Sequence, residues 1–491
     1  MGSLSTADPA VVSDFAVTAD DKATFQPLNP EDVRAYLHKA VDFISDYYTN
    51  IESMPVLPDV KPGASVVPGM THWASPNFFA FFPATNSAAA IAGDLIASAM
   101  NTVGFTWYAA PAATEMEVLA LDWLAQLMRL PATFMNHTST GDRGTGGGVI
   151  LGTTSEAMLV TLVAARDAAL RRSGSIGVSA LPRLAVYAAD QTHTTFFKAC
   201  RLAGFDPANI RSIPTGPEND YSLDRAKLLK AMQADVDAGL VPTYVCATVG
   251  TTSSNAVDPV GAVADVAALF CAWVHVDAAY AGGACICPEF RHHLDGVERV
   301  DSISVSPHKW LLTCLDCTCL YVRDARRLSD SMETNPEYLK NDATDSGEVT
   351  DLKDMQVGVG RRFRGLKLWM VMRTYGTAKL QEHIRSDVAM AKIFEGLVRA
   401  DHRFEVVVPR NFAMVCFKIK VSVTMTEEDA DEANRMLMKI LNKTGKAYLA
   451  HTMIGGRIVL RFAVGSSLQE ERHVRSAWEL IKNTTNEMMM D

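Results

Sequence analysis

Ser306-Pro307-His308-Lys309-Trp310 sets one lysine beside a histidine, after the apolar positions Ile303 and Val305 and before Leu311 and Leu312. Both flanks read as buried strand, so the lysine sits where an ammonium is costly unless its amine is used. Desolvation lowers an amine's pKa and makes it a nucleophile for a carbonyl, as in a Schiff base. A lysine on a surface turn is the plainer alternative, because lysines are mostly exposed. What the rest of the chain supplies decides between them.

Upstream, Trp273-Val274-His275-Val276-Asp277-Ala278-Ala279-Tyr280 reads as a buried strand ending in an acid and two small residues. In α/β proteins an acid at a strand's carboxyl end faces the crevice where ligands bind. With Lys309 some thirty residues on, the pair fits pyridoxal phosphate (PLP), whose ring nitrogen needs a carboxylate to stay protonated. Ala278 and Ala279 let a flat ring lie near the backbone; a loop or capping acid is the bland reading of Asp277. A phosphate site is offered by Gly144-Thr145-Gly146-Gly147-Gly148-Val149-Ile150-Leu151-Gly152, read as a glycine-rich loop, running into Thr153-Thr154-Ser155. A helix from Met158 to Arg172 is expected next, and N–H groups and hydroxyls at a helix start bind phosphate. The run has neither the GxxxxGK[ST] nor the full GxGxxG spacing, and no clear strand precedes it, which argues against a dinucleotide. His193 follows the apolar strand Leu184 to Tyr187 and is placed to stack on a cofactor ring or assist proton transfer.

These residues together resemble the group II PLP-dependent decarboxylases, and among them the plant aromatic L-amino-acid decarboxylases. The matching motifs are Pro68-Gly69-Met70-Thr71-His72-Trp73, Phe81-Phe82-Pro83, Gly152-Thr153-Thr154-Ser155-Glu156-Ala157, Asp190-Gln191-Thr192-His193, His275-Val276-Asp277-Ala278-Ala279-Tyr280, Ser306-Pro307-His308-Lys309-Trp310-Leu311 and Gly360-Arg361-Arg362-Phe363-Arg364. They run through almost the whole chain in family order. The resemblance implies a PLP-dependent transferase fold of type I: a mostly parallel seven-stranded sheet in a large domain, an N-terminal helical arm and a small C-terminal α+β domain. It implies that Lys309 holds the cofactor as a Schiff base, Asp277 pairs with the ring nitrogen and His193 stacks over the ring. Thr154 and Ser155 would hold the phosphate, with Thr248, Ala279 and His308 lining the pocket.

Composition agrees with an enzyme of this kind. The chain has 491 residues, 48% of them hydrophobic, enough for a large core and more than one domain. Its net charge of -10 comes without any basic run, so nucleic acid is not an expected partner. No long apolar span and no signal peptide is evident, so no membrane and a cytoplasmic location are expected. The nine cysteines have no framework spacing. Cys314, Cys317 and Cys319 have strand-like surroundings and read as buried thiols rather than metal ligands, and no metal is expected.

Three blocks follow. In residues 1–85, a polar tail leads to an N-cap at Asn29, Pro30 at the first helical position, and a helical stripe of Val33, Leu37, Val41, Ile44 and Tyr48. In the family this arm packs on a second subunit, which implies a homodimer. Residues 86–366 alternate strands and helices, the pattern of the large PLP-binding domain. Residues 367–491 read as a small α+β domain, with strands at Phe404–Val408, Met414–Ile419 and Ile458–Val464 and a helix near 427–443.

The reaction and its substrate rest on further residues. Asn335-Pro336-Glu337-Tyr338-Leu339-Lys340 opens a polar stretch with the character of a lid, and Tyr338 matches the family's proton donor. Related aldehyde synthases carry Phe there, so Tyr338 implies an amine product. Arg461 is the nearest candidate for a carboxylate clamp, with a structural role implied by the family. Trp73, Phe81, Phe82, Pro83, Phe105 and Trp107 are candidate walls for an aromatic side chain, the alternative being simple core. Gly360 resembles indole-preferring plant relatives, where phenol-preferring ones tend to carry Ser. Tryptophan, giving tryptamine and carbon dioxide, is the expected substrate; tyrosine or phenylalanine is the alternative. One departure stands out: about two dozen residues of the family are missing between Gly63 and Ala64. The cofactor residues lie elsewhere, but a PLP-binding homologue with impaired turnover becomes an open reading.

Overall fold

The computed structural model describes residues 30–57, 69–137, 144–172, 174, 178–421 and 425–490. Helix α1 (Pro30–Asn50) forms where Pro30 and the apolar stripe place it, while the cap at Asn29 and the junction at Gly63–Ala64 lie outside the described residues. Its stripe is only partly covered, and Leu37, Val41 and Phe43 stay exposed. Helices α2 (Ala88–Met100) and α3 (Pro111–Met128) follow, α2 capped by the Ser87 hydroxyl accepting from Ala90 N–H.

The central sheet is built from β1 (Gly147–Leu151), β2 (Leu184–Ala189), β3 (Ile210–Ile213), β4 (Val241–Thr248), β5 (Trp273–Asp277), β6 (Ser302–Val305) and β7 (Thr318–Val322). Between them run α4 (Thr154–Arg172), α5 (Thr195–Leu202), α6 (Arg225–Asp237) and α7 (Val260–Ala268). The order is β1-β7-β6-β5-β4-β2-β3; β3, β2, β4, β5 and β6 are parallel, and β7 runs antiparallel to both its neighbours. This is the mixed, mostly parallel seven-stranded sheet expected. Strands β1, β2, β5, β6 and β7 are buried at every position because helices cover both faces. Val245, Val274 and Val276 enter one core while Tyr244, Cys246 and Trp273 enter the other.

Two local readings are corrected. The segment after the lysine is not a strand: Pro307–Trp310 is one helical turn, and β7 begins only at Thr318. Proline fixes φ at the first helical position and offers no N–H for a ladder, so the chain turns there. The glycine run is also not a loop throughout, since Gly147 and Gly148 belong to edge strand β1. Its glycines serve close packing; a Cβ on Gly146 would lie 1.8 Å from the Thr133 carbonyl oxygen.

Helix α8 (Gly365–Ala400) leads out of this layer and breaks its helical geometry at Gly376, where φ is 61°. Beyond it, β8 (Phe404–Val406), β9 (Met414–Ile419), α9 (Glu427–Lys443), β10 (Ala450–Ile454), β11 (Arg457–Ala463) and α10 (Glu471–Met490) form a four-stranded antiparallel sheet, β10-β11-β9-β8, with helices. Thr426 and Asp429 close a capping box at the start of α9. Cys317 and Cys319 are buried and Cys314 half-buried, but only Cys319 lies in a strand. Among the described residues no helix is long and apolar enough to cross a membrane, and no cluster of three or more metal-ligand side chains occurs.

Candidate active site

The carboxyl ends of the parallel strands converge on one cavity of about 260 Å³. Thr154, Ser155, His193, Thr248, Asp277, Ala279, His308 and Lys309 all line it, with Phe82. Each arrives by a short route from a strand end: Thr248 and Asp277 close β4 and β5, and Lys309 sits on the turn after β6. That is the crevice where open α/β sheets bind ligands.

The lysine turn and the start of α4 are tied together. Ser306 Oγ lies 3.0 Å from Thr154 Oγ1 and 2.8 Å from Thr318 Oγ1. Lys309 Nζ lies 5.6 Å from the centre of the Phe82 ring, and among the described residues it makes no hydrogen bond or ion pair. Burial lowers its pKa, partly opposed by Asp277 and reinforced by Arg461. The amine is thereby moved toward its nucleophilic form. Asp277 is buried, and its Oδ1 accepts the Ala279 N–H at 3.1 Å, which aims the carboxylate back across the strand end.

At the start of α4, the Thr153 carbonyl accepts from Glu156 and Ala157 N–H groups. The N–H groups of Thr154 and Ser155 are left without helical partners and suit an anion. Ser155 Oγ reaches Thr195 Oγ1 at 3.1 Å, and Thr195 Oγ1 reaches His193 Nδ1 at 2.8 Å. The Thr195 N–H also donates to Nδ1, at 3.2 Å, which assigns the proton of the neutral ring to Nε2. Burial lowers the His193 pKa, with Asp277 opposing, so the neutral ring is favoured. Thr248 Oγ1 is buried and has no partner among the described residues, a polar atom left for a ligand. Its backbone is fixed by Asp258, which accepts the Thr248 N–H at 2.7 Å.

Some cavity residues escaped the sequence reading. Thr195 is two residues past the quoted His193 motif, and its role as a bridge between His193 and Ser155 needs the helix turn to be visible. Tyr280, though inside a quoted motif, carries a stack: Phe82 lies 3.9 Å from Tyr280, and Tyr280 lies 4.6 Å from Trp310. Arg461 is buried, 5.2 Å from the Phe82 ring centre, and donates to the Phe81 carbonyl at 3.1 Å.

Apart from Phe82, the substrate-side candidates do not gather with the lysine. Trp73 and Phe81 are exposed and stack on each other at 5.5 Å, beside Phe78 and Tyr448. Pro83 packs against Gly465. Trp107 donates its backbone N–H to Asp351 at 2.8 Å and its indole N–H to Glu115 at 2.7 Å. The Phe105 carbonyl accepts from Lys353 N–H, so both residues belong with the polar stretch that follows Tyr338. Tyr338 is 84% exposed and Gly360 faces open space; neither lines the cavity.

A family profile, the pyridoxal-dependent decarboxylase conserved domain, matches residues 50–420. The chain belongs to that family. Tryptophan decarboxylase 1 of Oryza sativa subsp. japonica is 79% identical over 517 aligned positions, covering all of both chains. With 491 residues here, that relative carries sequence this chain lacks. A crystal structure of Oryza sativa TDC with PLP and tryptamine superposes with a TM-score of 0.92 at 80% identity, covering 95% of this chain and all of that one. Tyrosine decarboxylase of Papaver somniferum is 46% identical over 94% of this chain and 96% of its own. As a pyridoxal-dependent decarboxylase, the protein uses PLP, and the cavity fits it. A free amine, a buried carboxylate, a helix start with open N–H groups and an orphaned hydroxyl are the partners that PLP's aldehyde, ring nitrogen and phosphate require.

Proposed function

We propose that this decarboxylase acts on aromatic L-amino acids, tryptophan first, releasing carbon dioxide and tryptamine. The observation that carries the reading is the 79% identity to a tryptophan decarboxylase along the full chain. Gly360 supports it: a Cβ there would meet nothing within 4 Å, so the position is open on its own chain. Tyrosine or phenylalanine is the competing substrate.

Bound PLP supplies a ring that withdraws electrons from the amino acid's α-carbon when the carboxylate leaves. Lys309 would hold the cofactor through its amine until the substrate's amine replaces it. Asp277 would keep the ring nitrogen protonated, and Thr154 and Ser155 would hold the phosphate. Thr248, Ala279 and His308 would complete the pocket walls. His193 would cover the ring face, its neutral imidazole sparing the site a second cation. Tyr338 would deliver the proton to the α-carbon. Trp73, Phe81, Phe82, Pro83, Phe105, Trp107 and Gly360 would shape the space for the aromatic side chain.

A cytoplasmic homodimer is part of the same proposal. Lys309 and Tyr338 do not share a cavity within one chain, and exposed apolar residues mark α1; a partner subunit would supply the missing half. Residues 1–85 would be the tail and dimerisation arm, 86–366 the PLP-binding domain and 367–491 the small domain. The product assay that tests the function offers tryptophan, tyrosine and phenylalanine separately to PLP-loaded protein of measured mass. Tryptamine and carbon dioxide in equal amounts are expected. Faster turnover of tyrosine would move the assignment to a phenol, and PLP binding without carbon dioxide from any of the three would leave an impaired homologue. Mixing Lys309→Ala with Tyr338→Phe subunits tests the dimer: activity above either variant alone is expected, and none would sink the shared site.

A further inference from the structure

A second cavity, of about 600 Å³, lies at the opposite end of the sheet from Lys309. Trp273 opens β5, Asp301 precedes β6 and Arg323 follows the antiparallel β7, so all three mark the same edge. One β5 length, about 13 Å, separates this edge from Asp277. Five arginines line the cavity: Arg171, Arg172, Arg299, Arg323 and Arg327. Only two acids, Asp301 and Asp330, line it with them. In a chain of net charge -10 this is a local reversal of sign.

The arginines are incompletely neutralised. Arg323 and Arg327 share one oxygen of Asp301, at 3.2 and 2.5 Å. The other Asp301 oxygen already accepts the Val274 N–H at 2.9 Å. The Arg327 guanidinium rests on the Trp273 ring, 4.2 Å from its centre, which holds its plane without using its charge. Arg172 donates to the Cys271 carbonyl at 2.9 Å, a neutral acceptor. The Arg171 side chain is exposed and makes no hydrogen bond or ion pair with another described residue. Arg299 is the exception, paired with Asp265 at 3.0 Å and Glu298 at 3.6 Å. The charges therefore stand on two walls, the end of α4 and the segment after β7, over a floor of Ala168, Ala268 and Val274. Guanidinium groups present forked donors that match phosphate oxygens in pairs.

We propose that this cavity is a binding site for a phosphate-type polyanion, a diphosphate or a phosphate ester, separate from the cofactor site. Two walls of arginine suit an anion with more than one charge, and the small-residue floor leaves room for its body. A monocarboxylate would leave half of the guanidinium groups unanswered.

The test is calorimetric titration of PLP-loaded full-length enzyme with inorganic pyrophosphate at constant ionic strength, the cofactor keeping its own phosphate site filled. Saturable binding of one pyrophosphate per chain, at about 1 mM or tighter, is expected. The double variant Arg171→Gln/Arg172→Gln should weaken it by about tenfold or more, and so should Arg327→Gln; Arg399→Gln, on the far helix α8, should not. Unchanged folding of each variant is read from its cofactor absorbance. No saturation up to about 10 mM, or equal binding by the arginine variants, overturns the site. Tighter binding of citrate than of pyrophosphate overturns the phosphate assignment.

Discussion

The cavity around Lys309 and the group made by Phe105, Trp107, Tyr338 and Gly360 are built on different principles. In the first, side chains project from strand ends and the turns directly after them, and Asp277, Thr248 and His308 are buried. In the second, residues sit on connections between elements, and Tyr338 is 84% exposed. Sheet ends fix positions to fractions of an ångström, as cofactor chemistry demands. Loops trade that precision for movement, which would suit a lid that closes on each substrate and opens again, as proposed for the Tyr338 segment. One chain thus lines the lysine cavity from its own strand ends, and on the proposed reading a partner subunit finishes the substrate side.

Removing the centre of the first region gives the largest effect. Lys309→Ala should lose the visible absorbance of bound cofactor and lower turnover by at least about a thousandfold. A Lys309→Ala variant in which borohydride still fixes the cofactor covalently to another lysine would remove Lys309 from its role. In the second region, Tyr338→Phe should leave cofactor absorbance intact while amine output falls by about a hundredfold. Unchanged tryptamine formation would detach Tyr338 from the proton step. The two variants together separate the regions, since one loses the cofactor and the other only the product.

The same division governed what could be read from sequence. The cavity-lining residues sit within a few positions of strand ends, so apolar runs leading to Asp277 and His193 marked them without any knowledge of distance, while Thr154 was marked by its place before a helix. The positions of Leu311 and Leu312 misled, because a proline-initiated turn can carry apolar residues into the core as well as a strand can. The glycines at 146–148 misled for the opposite reason: their lack of a side chain serves packing against the Thr133, Val322 and Leu320 carbonyls and the Asn136 side chain, not a flexible loop. On the substrate side, Phe105 and Gly360 lie far apart in sequence and are brought near each other by a backbone hydrogen bond from Gly104 N–H to the Arg361 carbonyl. No periodicity encodes such an approach; the clustering of aromatic residues drew attention to Phe105, and the family likeness to Gly360.

Acid should strike the first region and spare the second. His275 is fully buried on β5, with Nδ1 2.8 Å from Ser302 Oγ and Nε2 3.2 Å from Ser304 Oγ. Burial lowers its pKa to about 4. Unfolded, it takes a proton near 6.5, so between pH 6.5 and 4 the unfolded chain binds more protons than the native one. Stability therefore falls as pH drops through that window, by on the order of 2 kcal/mol from this group at pH 5. His308, lowered to about 4 chiefly by burial and then by Lys309, adds to it. Denaturant unfolding at pH 7 and pH 5 measures the difference, and His275→Asn should shrink it. The segment 335–355 contains no histidine, so it offers no counterpart. An unchanged pH dependence in the variant would mean that His275 is already charged or already solvated in the native state.

The smallest expected effect is the most selective. Gly360→Ser adds a hydroxyl where no atom lies within 4 Å of the new Cβ, so the fold should tolerate it without strain. Cofactor absorbance and unfolding should match the wild type. On the proposed reading, what changes is the space offered to the substrate's ring. A serine there narrows it for an indole and gives a phenol hydroxyl a partner, so the tryptophan-to-tyrosine ratio of kcat/KM should fall by about tenfold. A larger change is not expected, because one added hydroxyl discriminates between such substrates by no more than about a hundredfold. If the ratio holds while both rates drop together, Gly360 acts on lid closure rather than on ring size. If neither rate nor ratio moves, the open space at Gly360 in one chain stays open in the working enzyme, and the second region contributes its specificity through Phe105 and Trp107 instead.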